Sequence, residues 1–187
     1  MMVKKTITRY AMSIDNMNKG TGKIKPLNII IIYDSIFGNT KKVAQALQDG
    51  FKEIHANCQI LHASEVDIKA LDNTDLLVFG SPTRAFHPTP LLSSLIKNKT
   101  LVFAGKKVAV FDTRADISTI KSKFFRSFLN NMGYADACLR RKLAKRNAIV
   151  INETQGFYVT GSEGPLREGE LERAFLWAQT LITNLSK

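Results

Sequence analysis

Residues 27–33 read Leu-Asn-Ile-Ile-Ile-Ile-Tyr, and Asp34 leads straight from them into Ser-Ile-Phe-Gly-Asn-Thr and a helical pattern. A short, continuous apolar run is the mark of a strand covered on both faces, because a strand with one wet face alternates apolar and polar residues. Two covered faces call for a helical layer above and another below. That single feature points to a parallel sheet inside a three-layer sandwich.

The rest of the chain repeats the same alternation. Val43, Leu47, Phe51 and Ile54 recur at helical spacing, Gln59–Ala63 is a weaker strand, and Leu76–Gly80 is a second buried strand after the turn-forming Asp72-Asn73. Thr89 followed by Pro90 signals a helix start ahead of Leu91, Leu92, Leu95 and Ile96. Lys107–Phe111 predicts a fourth strand, and Ile117, Ile120, Phe124, Phe128 and Met132 a helix stripe. Ala148–Asn152 and Phe157–Thr160 predict two short strands or one broken strand. Leu171, Ala174, Phe175, Ala178, Leu181 and Ile182 mark the core face of a last helix, on which Trp177 packs toward the sheet, and Tyr158 is expected in the core beside Phe157. Five strands alternating with helices predict a doubly wound, five-stranded parallel sheet, in which ligands bind beyond the carboxyl ends of the strands.

Charge and cysteine content narrow the function classes. The 187 residues hold 27 Lys plus Arg against 16 Asp plus Glu, a net charge of +11. Residues 1–26 carry six basic residues against Asp15 alone and no sustained periodicity, and are read as a flexible basic extension to a domain at 27–187. Arg140, Arg141, Lys142, Lys145 and Arg146 crowd into seven positions, read as a solvated surface loop able to make weak contact with an anionic surface. No aromatic residue interleaves that run, which argues against nucleic acid. Cys58 and Cys138 stand far apart without a CxxC, so neither a disulfide scaffold nor a cysteine zinc site is expected, and free thiols fit a cytoplasmic setting. No apolar stretch is long enough for a membrane-spanning helix.

Three loops follow strands and carry the candidate chemistry. In the first, Ser35-Ile36-Phe37-Gly38-Asn39-Thr40 opens a helix, so several backbone N–H groups and the helix dipole converge where the Ser35 and Thr40 hydroxyls add donors. Such a loop binds phosphate without a lysine, and it is neither a Walker loop nor a GxGxxG fingerprint. A purely structural reading has Asn39 capping the helix and Gly38 turning the chain. The second loop is Ser81–Pro88, with Pro82, Thr83, Arg84, Phe86 and His87. The third is Asp112–Asp116, where Asp112 either pairs with Arg114 or caps the next helix, and Thr113 lies between them.

The stretch Ile30–Thr40 (IIIYDSIFGNT) resembles the flavodoxin family, in which an apolar strand ending in an aromatic residue precedes a hydroxyl-rich phosphate loop and Gly-Asn-Thr. The resemblance extends over residues 27–184 and implies a sheet of strand order 2-1-3-4-5 with FMN as cofactor. It implies that Ser35, Gly38, Asn39 and Thr40 hold the FMN phosphate, with Ile36 and Phe37 contributing backbone N–H groups where typical members carry hydroxyls. Ser81-Pro82-Thr83-Arg84 looks like the Pro-Thr-Arg run of flavodoxin-like quinone reductases related to tryptophan-repressor-binding proteins. It places Phe86 to stack on the ring and Arg84 or His87 at its polar edge. Asp112, Thr113 and Arg114 fall where the family closes the other rim, here without an aromatic residue. An arginine near the flavin N1 edge would raise its reduction potential. The implied role is electron transfer, or NAD(P)H-dependent reduction of a small acceptor such as a quinone. Because the chain is basic, an acidic-faced redox partner is expected. The competing reading is a flavin-free flavodoxin-like module whose basic segments are its working surface.

Overall fold

The apolar runs become strands because their side chains reach both layers of the core at once. The computed structural model describes residues 25–116, 133–153 and 155–185. The expected extension up to residue 24 and the helix stripe Ile117–Met132 lie outside the described residues. The described elements are β1 (Asn28–Tyr33), α1 (Asn39–Glu53), β2 (Asn57–His62), β3 (Leu76–Pro82), α2 (Pro90–Lys97), β4 (Lys107–Ala115), α3 (Ala135–Ala144), β5 (Ile149–Val150), β6 (Gly156–Val159) and α4 (Glu170–Leu185), with a short 3₁₀ turn at Ile68–Leu71. All the strand pairings are parallel, in the order β2-β1-β3-β4-β5, and β6 also pairs with β4.

Along β1 the residues alternate between two cores. Ile29, Ile31 and Tyr33 pack with Val43, Leu47 and Phe51 of α1 and Ala174, Ala178 and Leu181 of α4. Ile30 and Ile32 pack on the opposite face with Leu92 and Ile96 of α2 and Leu139 and Leu143 of α3. Each fully buried Ile or Leu is worth about 1.5–3 kcal/mol relative to its exposed state, so β1 stabilises both layers simultaneously. Helices α1 and α4 touch closely at Gly50, where an added Cβ would collide with the Phe175 carbonyl and lie 2.9 Å from the Ala178 Cβ. Trp177 packs edge-on against Phe111 and Phe157, on the sheet as expected.

Several local expectations change. Of the two readings of Ala148–Thr160, two short strands holds: β5 and β6 lie end to end along β4 at Lys107–Val108 and Asp112–Ala115. Pairing with β6 extends β4 through Asp112, Thr113 and Arg114, which therefore belong to a strand and not to the loop read from the sequence. Tyr158 is half-buried, with the Arg167 and Arg173 guanidinium groups over its ring, and Leu171 is exposed at the start of α4. The start of α2 is as read: Thr89 Oγ1 accepts the Leu92 N–H and Pro90 occupies the first turn.

The basic run is not a solvated loop. Arg140–Ala144 is helical, Lys142 donates to Ser93 Oγ, and Arg146 turns back onto α2. The Arg146 guanidinium donates to the carbonyls of Ile96 (2.5 Å), Leu101 (2.7 Å) and Asn98 (3.1 Å), and lies over the Phe103 ring. Carbonyls left over at a helix C-terminus need donors, and a forked cation there satisfies several at once. Arg141 and Lys145 remain exposed. No helix among the described residues is long and apolar enough to cross a membrane, and no group of His, Cys, Asp or Glu among them is placed to hold a metal ion.

Candidate functional site

At the carboxyl ends of β1, β3, β4 and β6 the chain leaves a pocket of about 390 Å³, inside the usual range for small-molecule sites. One wall is the segment after β1. Gly38, at φ 79°, is the N-cap of α1 and contributes no side-chain cap, so the capping role read for Asn39 does not hold. Lys41 N–H reaches Ser35 Oγ at 3.4 Å and Ser35 N–H donates to Asp34 Oδ1. Among the described residues, the N–H groups of Ile36, Phe37, Gly38, Asn39 and Thr40 have no hydrogen-bond acceptor. Five consecutive unsatisfied donors at a helix N-terminus, beside the positive end of the helix dipole, form a cradle for an anion.

Ser35, Ile36, Phe37, Asn39 and Thr40 line the pocket, as do Pro82, Thr83 and Arg84, and Thr113 and Arg114. The Thr40 and Thr113 hydroxyls lie 2.9 Å apart and buried, joining the first wall to the end of β4. Asn39 reaches the segment after β6: its Nδ2 donates to the Glu163 carbonyl at 2.7 Å. Gly164, at φ 115°, lies so close to the Asn39 amide that no side chain would fit there. Val159, Gly161 and Ser162 from the same region also line the pocket, together with Ala85 and Ala115. Ala85 and Ala115 fall within the second and third loops read from the sequence, whereas Val159, Gly161 and Ser162 were not identified there; the polar Gly-Ser-Glu-Gly run after β6 was the available signal for the last two.

Phe86 does not line the pocket. Arg84 and His87 exchange both backbone hydrogen bonds across a tight turn, with Ala85 at φ 44° and Phe86 at φ 66°. Left-handed backbone at two non-glycine residues is costly and gathers at functional sites. The turn presents Ala85 to the pocket and leaves Arg84 over the Phe37 ring, its Cζ 5.3 Å from the centroid. Phe37 is the aromatic side chain among the residues that line the pocket. Ile36 and Phe37 are 53% and 43% exposed, so the mouth carries apolar surface as well as Arg84.

Beneath the pocket floor lies a buried ionic cluster. Asp112 and Asp136 are fully buried, and both face the Arg114 guanidinium. Arg114 Nε donates to Asp112 Oδ1 at 2.5 Å, and its Nη2 lies 3.0 Å from Asp136 Oδ1 without hydrogen-bond alignment. The guanidinium stacks at 3.8 Å on Tyr134. Burial pushes the Asp112 carboxyl up to about 6, against the downward pull of Arg114. Burial also works against the Arg114 charge, but Asp112, and then Asp136, outweigh it and hold the guanidinium above its ordinary value. Asp112 therefore pairs with Arg114, one of the two bland roles open to it, and it also accepts the backbone N–H of Asp136 in the first turn of α3.

The flavodoxin family model matches residues 31–156. A flavodoxin from the Archaea superposes with a TM-score of 0.66 at 18% identity, covering 86% of this chain and all of that one. Oxidised flavodoxin 1 from Bacillus cereus gives 0.64 at 19% identity, covering 83% and 97%. The flavodiiron protein from Giardia intestinalis gives 0.64 at 21% identity, covering 85% of this chain and 36% of that one. In sequence, a 75-residue stretch is 35% identical to a diflavin flavoprotein of Synechocystis sp. (strain ATCC 27184 / PCC 6803 / Kazusa), 37% of this chain but only 12% of that relative's length. The matching model spans most of the described sheet and two walls of the pocket: this chain belongs to the flavodoxin family.

Proposed function

We propose that this pocket holds FMN, the cofactor of flavodoxins, and that the chain passes electrons between it and a redox partner. The observation that carries the reading is the row of five free N–H groups from Ile36 to Thr40 at the pocket wall, beside the Ser35 and Thr40 hydroxyls. These residues would hold the phosphate, while Pro82, Thr83, Arg84, Thr113, Arg114 and the Phe37 ring would border the remainder of the cofactor. Bound FMN would supply the electron or hydride chemistry; the protein supplies position and charge.

The mouth also supports a partner with an acidic face. Lys41 and Lys42 are exposed in the first turn of α1, where positive charge opposes the helix dipole and does nothing for helix stability. The exposed Arg84 lies over the Phe37 ring, and together these cations would give the apolar Ile36 and Phe37 a charged rim of the kind found at docking surfaces. Reduction of a small acceptor by NAD(P)H is the second role, and turnover with a quinone separates it from a carrier.

The test is an absorbance spectrum of the protein after FMN is added and excess removed by desalting. Retained flavin bands, weakened in Thr40→Val by the loss of a donor to the charged phosphate worth about 1.5–3 kcal/mol, support the proposal. A colourless protein would overturn it in favour of a flavin-free module, which the exposed Ile36 and Phe37 in place of hydroxyl-bearing residues would then explain.

A further inference from the structure

Two fully buried carboxylates share one guanidinium next to the pocket, so that among the described residues Asp112, Arg114 and Asp136 carry one negative charge in excess. An uncompensated buried charge is expensive, and a second anion placed nearby makes it more so. The hydrogen bonds around Asp112 define how the excess can be relieved. Its Oδ1 accepts from Arg114 Nε. Its Oδ2 accepts from the Thr83 hydroxyl at 2.7 Å and from the Asp136 N–H at 3.2 Å. Thr83 Oγ1 in turn accepts the Ala135 N–H at 2.9 Å, and Thr83 lines the pocket.

We infer that Asp112 takes up a proton when an anionic ligand enters the pocket, and that Thr83 then turns its own hydroxyl proton from Asp112 toward that ligand. The inference rests on the FMN reading for the identity of the anion. One proton from solvent forms an Oδ2–H bond, and no electrons are exchanged. The new O–H donates to Thr83 Oγ1, which keeps its bond from Ala135 N–H and so has both lone pairs used. The Thr83 proton, released from Oδ2, is left free to point into the pocket. Every other bond in the cluster survives: Oδ1 still accepts from Arg114, and Oδ2 still accepts from the Asp136 N–H. Protonation thus removes the excess charge and creates a donor for the ligand in one step.

The groups around Asp112 allow this. On β4 they are Arg114 and, at the strand end, Asp116, which pairs with Arg167. From β3 the facing group is the neutral Thr83. From α3 and the residue before it come Asp136 and Tyr134, and from β6 the register partner is Gly156, with Tyr158 two residues on. Among the described residues Arg114 is the only cation in direct contact with Asp112, and Asp136 shares it. A carboxyl in that setting already holds its proton more tightly than one in water, and a phosphate at Ile36–Thr40 adds negative potential.

The experiment follows the aspartate side-chain carboxyl carbons by NMR in the full chain, titrated between about pH 4 and 8 with and without FMN, while absorbance reports whether FMN is bound. The expected result is one carboxyl with a midpoint well above the others, missing in Asp112→Asn, whose midpoint rises when FMN binds. Thr83→Val keeps the aspartate but removes a hydrogen bond to its charged form, so the same resonance moves to a higher midpoint in the free protein. This assigns it even where Asp112→Asn does not fold. Thr83→Ser restores the original midpoint. Aspartates that all titrate in the ordinary range, a high-titrating resonance that persists in Asp112→Asn, or a midpoint that stays or falls when bound flavin is seen would each overturn the proposal. If absorbance shows no bound FMN, the FMN reading fails, and the proposal falls with it for lack of its anion; the free-protein titration still reports separately whether Asp112 is the proton-holding group.

Discussion

Arg146→Ala separates a structural cation from a docking cation within one basic run. In the native fold this guanidinium serves three carbonyls around the C-terminus of α2, those of Ile96 and Leu101 partly buried and that of Asn98 exposed. A hydrogen bond from a charged donor contributes about 1.5–3 kcal/mol net. Only the two partly buried carbonyls count in full, because water replaces the donor at Asn98. Set against them is about 2 kcal/mol of side-chain entropy that the arginine loses on being held. The balance is a destabilisation of about 1–4 kcal/mol, which for a domain of this size lowers Tm by roughly 2–16 °C. Urea denaturation reads it as a lower midpoint with an unchanged slope, since the exposed surface hardly differs. Arg141→Ala is the internal control: its side chain is exposed and has no bonding partner among the described residues, so its effect should stay within about 0.5 kcal/mol. Arg146→Lys should recover part of the loss, because one ammonium cannot fork to three carbonyls in fixed geometry. An Arg146→Ala midpoint equal to that of Arg141→Ala would refute the reasoning, showing that water satisfies the α2 carbonyls as well as the guanidinium does.

Two further outcomes follow from the packing and the charge cluster. Because Asp112 binds its proton more tightly folded than unfolded, its contribution to stability is fully present below the unfolded value near 3.8 and is lost as pH rises through about 6; the unfolding free energy of the native protein relative to Asp112→Asn should therefore fall across that window, and a flat difference would contradict the burial of an ionisable Asp112. Gly50→Ala should destabilise by about 1–3 kcal/mol through overpacking, because its Cβ meets the Phe175 carbonyl, which α4 cannot move freely; an unchanged urea midpoint would mean that α1 and α4 slide apart without cost.

The sheet was legible because its signal is local. A run such as Ile29–Ile32 is apolar at every position whatever the remainder of the chain does, and only a strand between two layers uses both faces. The helix stripes of α1 and α4 and the Thr89-Pro90 start of α2 carry their periods and caps within a few residues of themselves. The loop proposed to hold phosphate was legible for the same reason: Ser35–Thr40 is one contiguous segment entering one helix, and its free donors are backbone groups that sequence order alone lines up.

What the tertiary structure decided depends on partners remote in sequence. Asp112–Arg114 read as a loop because nothing local marks them as strand; β6, some forty residues on, supplies the edge that extends β4 through them. Phe86 looked like the ring-stacking residue by its position after β3. The mirror-image turn at Ala85-Phe86 instead leaves Phe37, from another loop, as the aromatic surface at the pocket. Gly161 and Ser162 line the pocket beside the Asn39–Glu163 bond, which joins residues 124 apart in sequence. Arg146 shows the limit most plainly: in the sequence it is one of five charges in a basic run, and only the fold brings the end of α2 within its reach. Periodicity and contiguous loops are written in the order of the residues, whereas the neutralising and hydrogen-bonding partners of a side chain are set by which segments the packed sheet brings together.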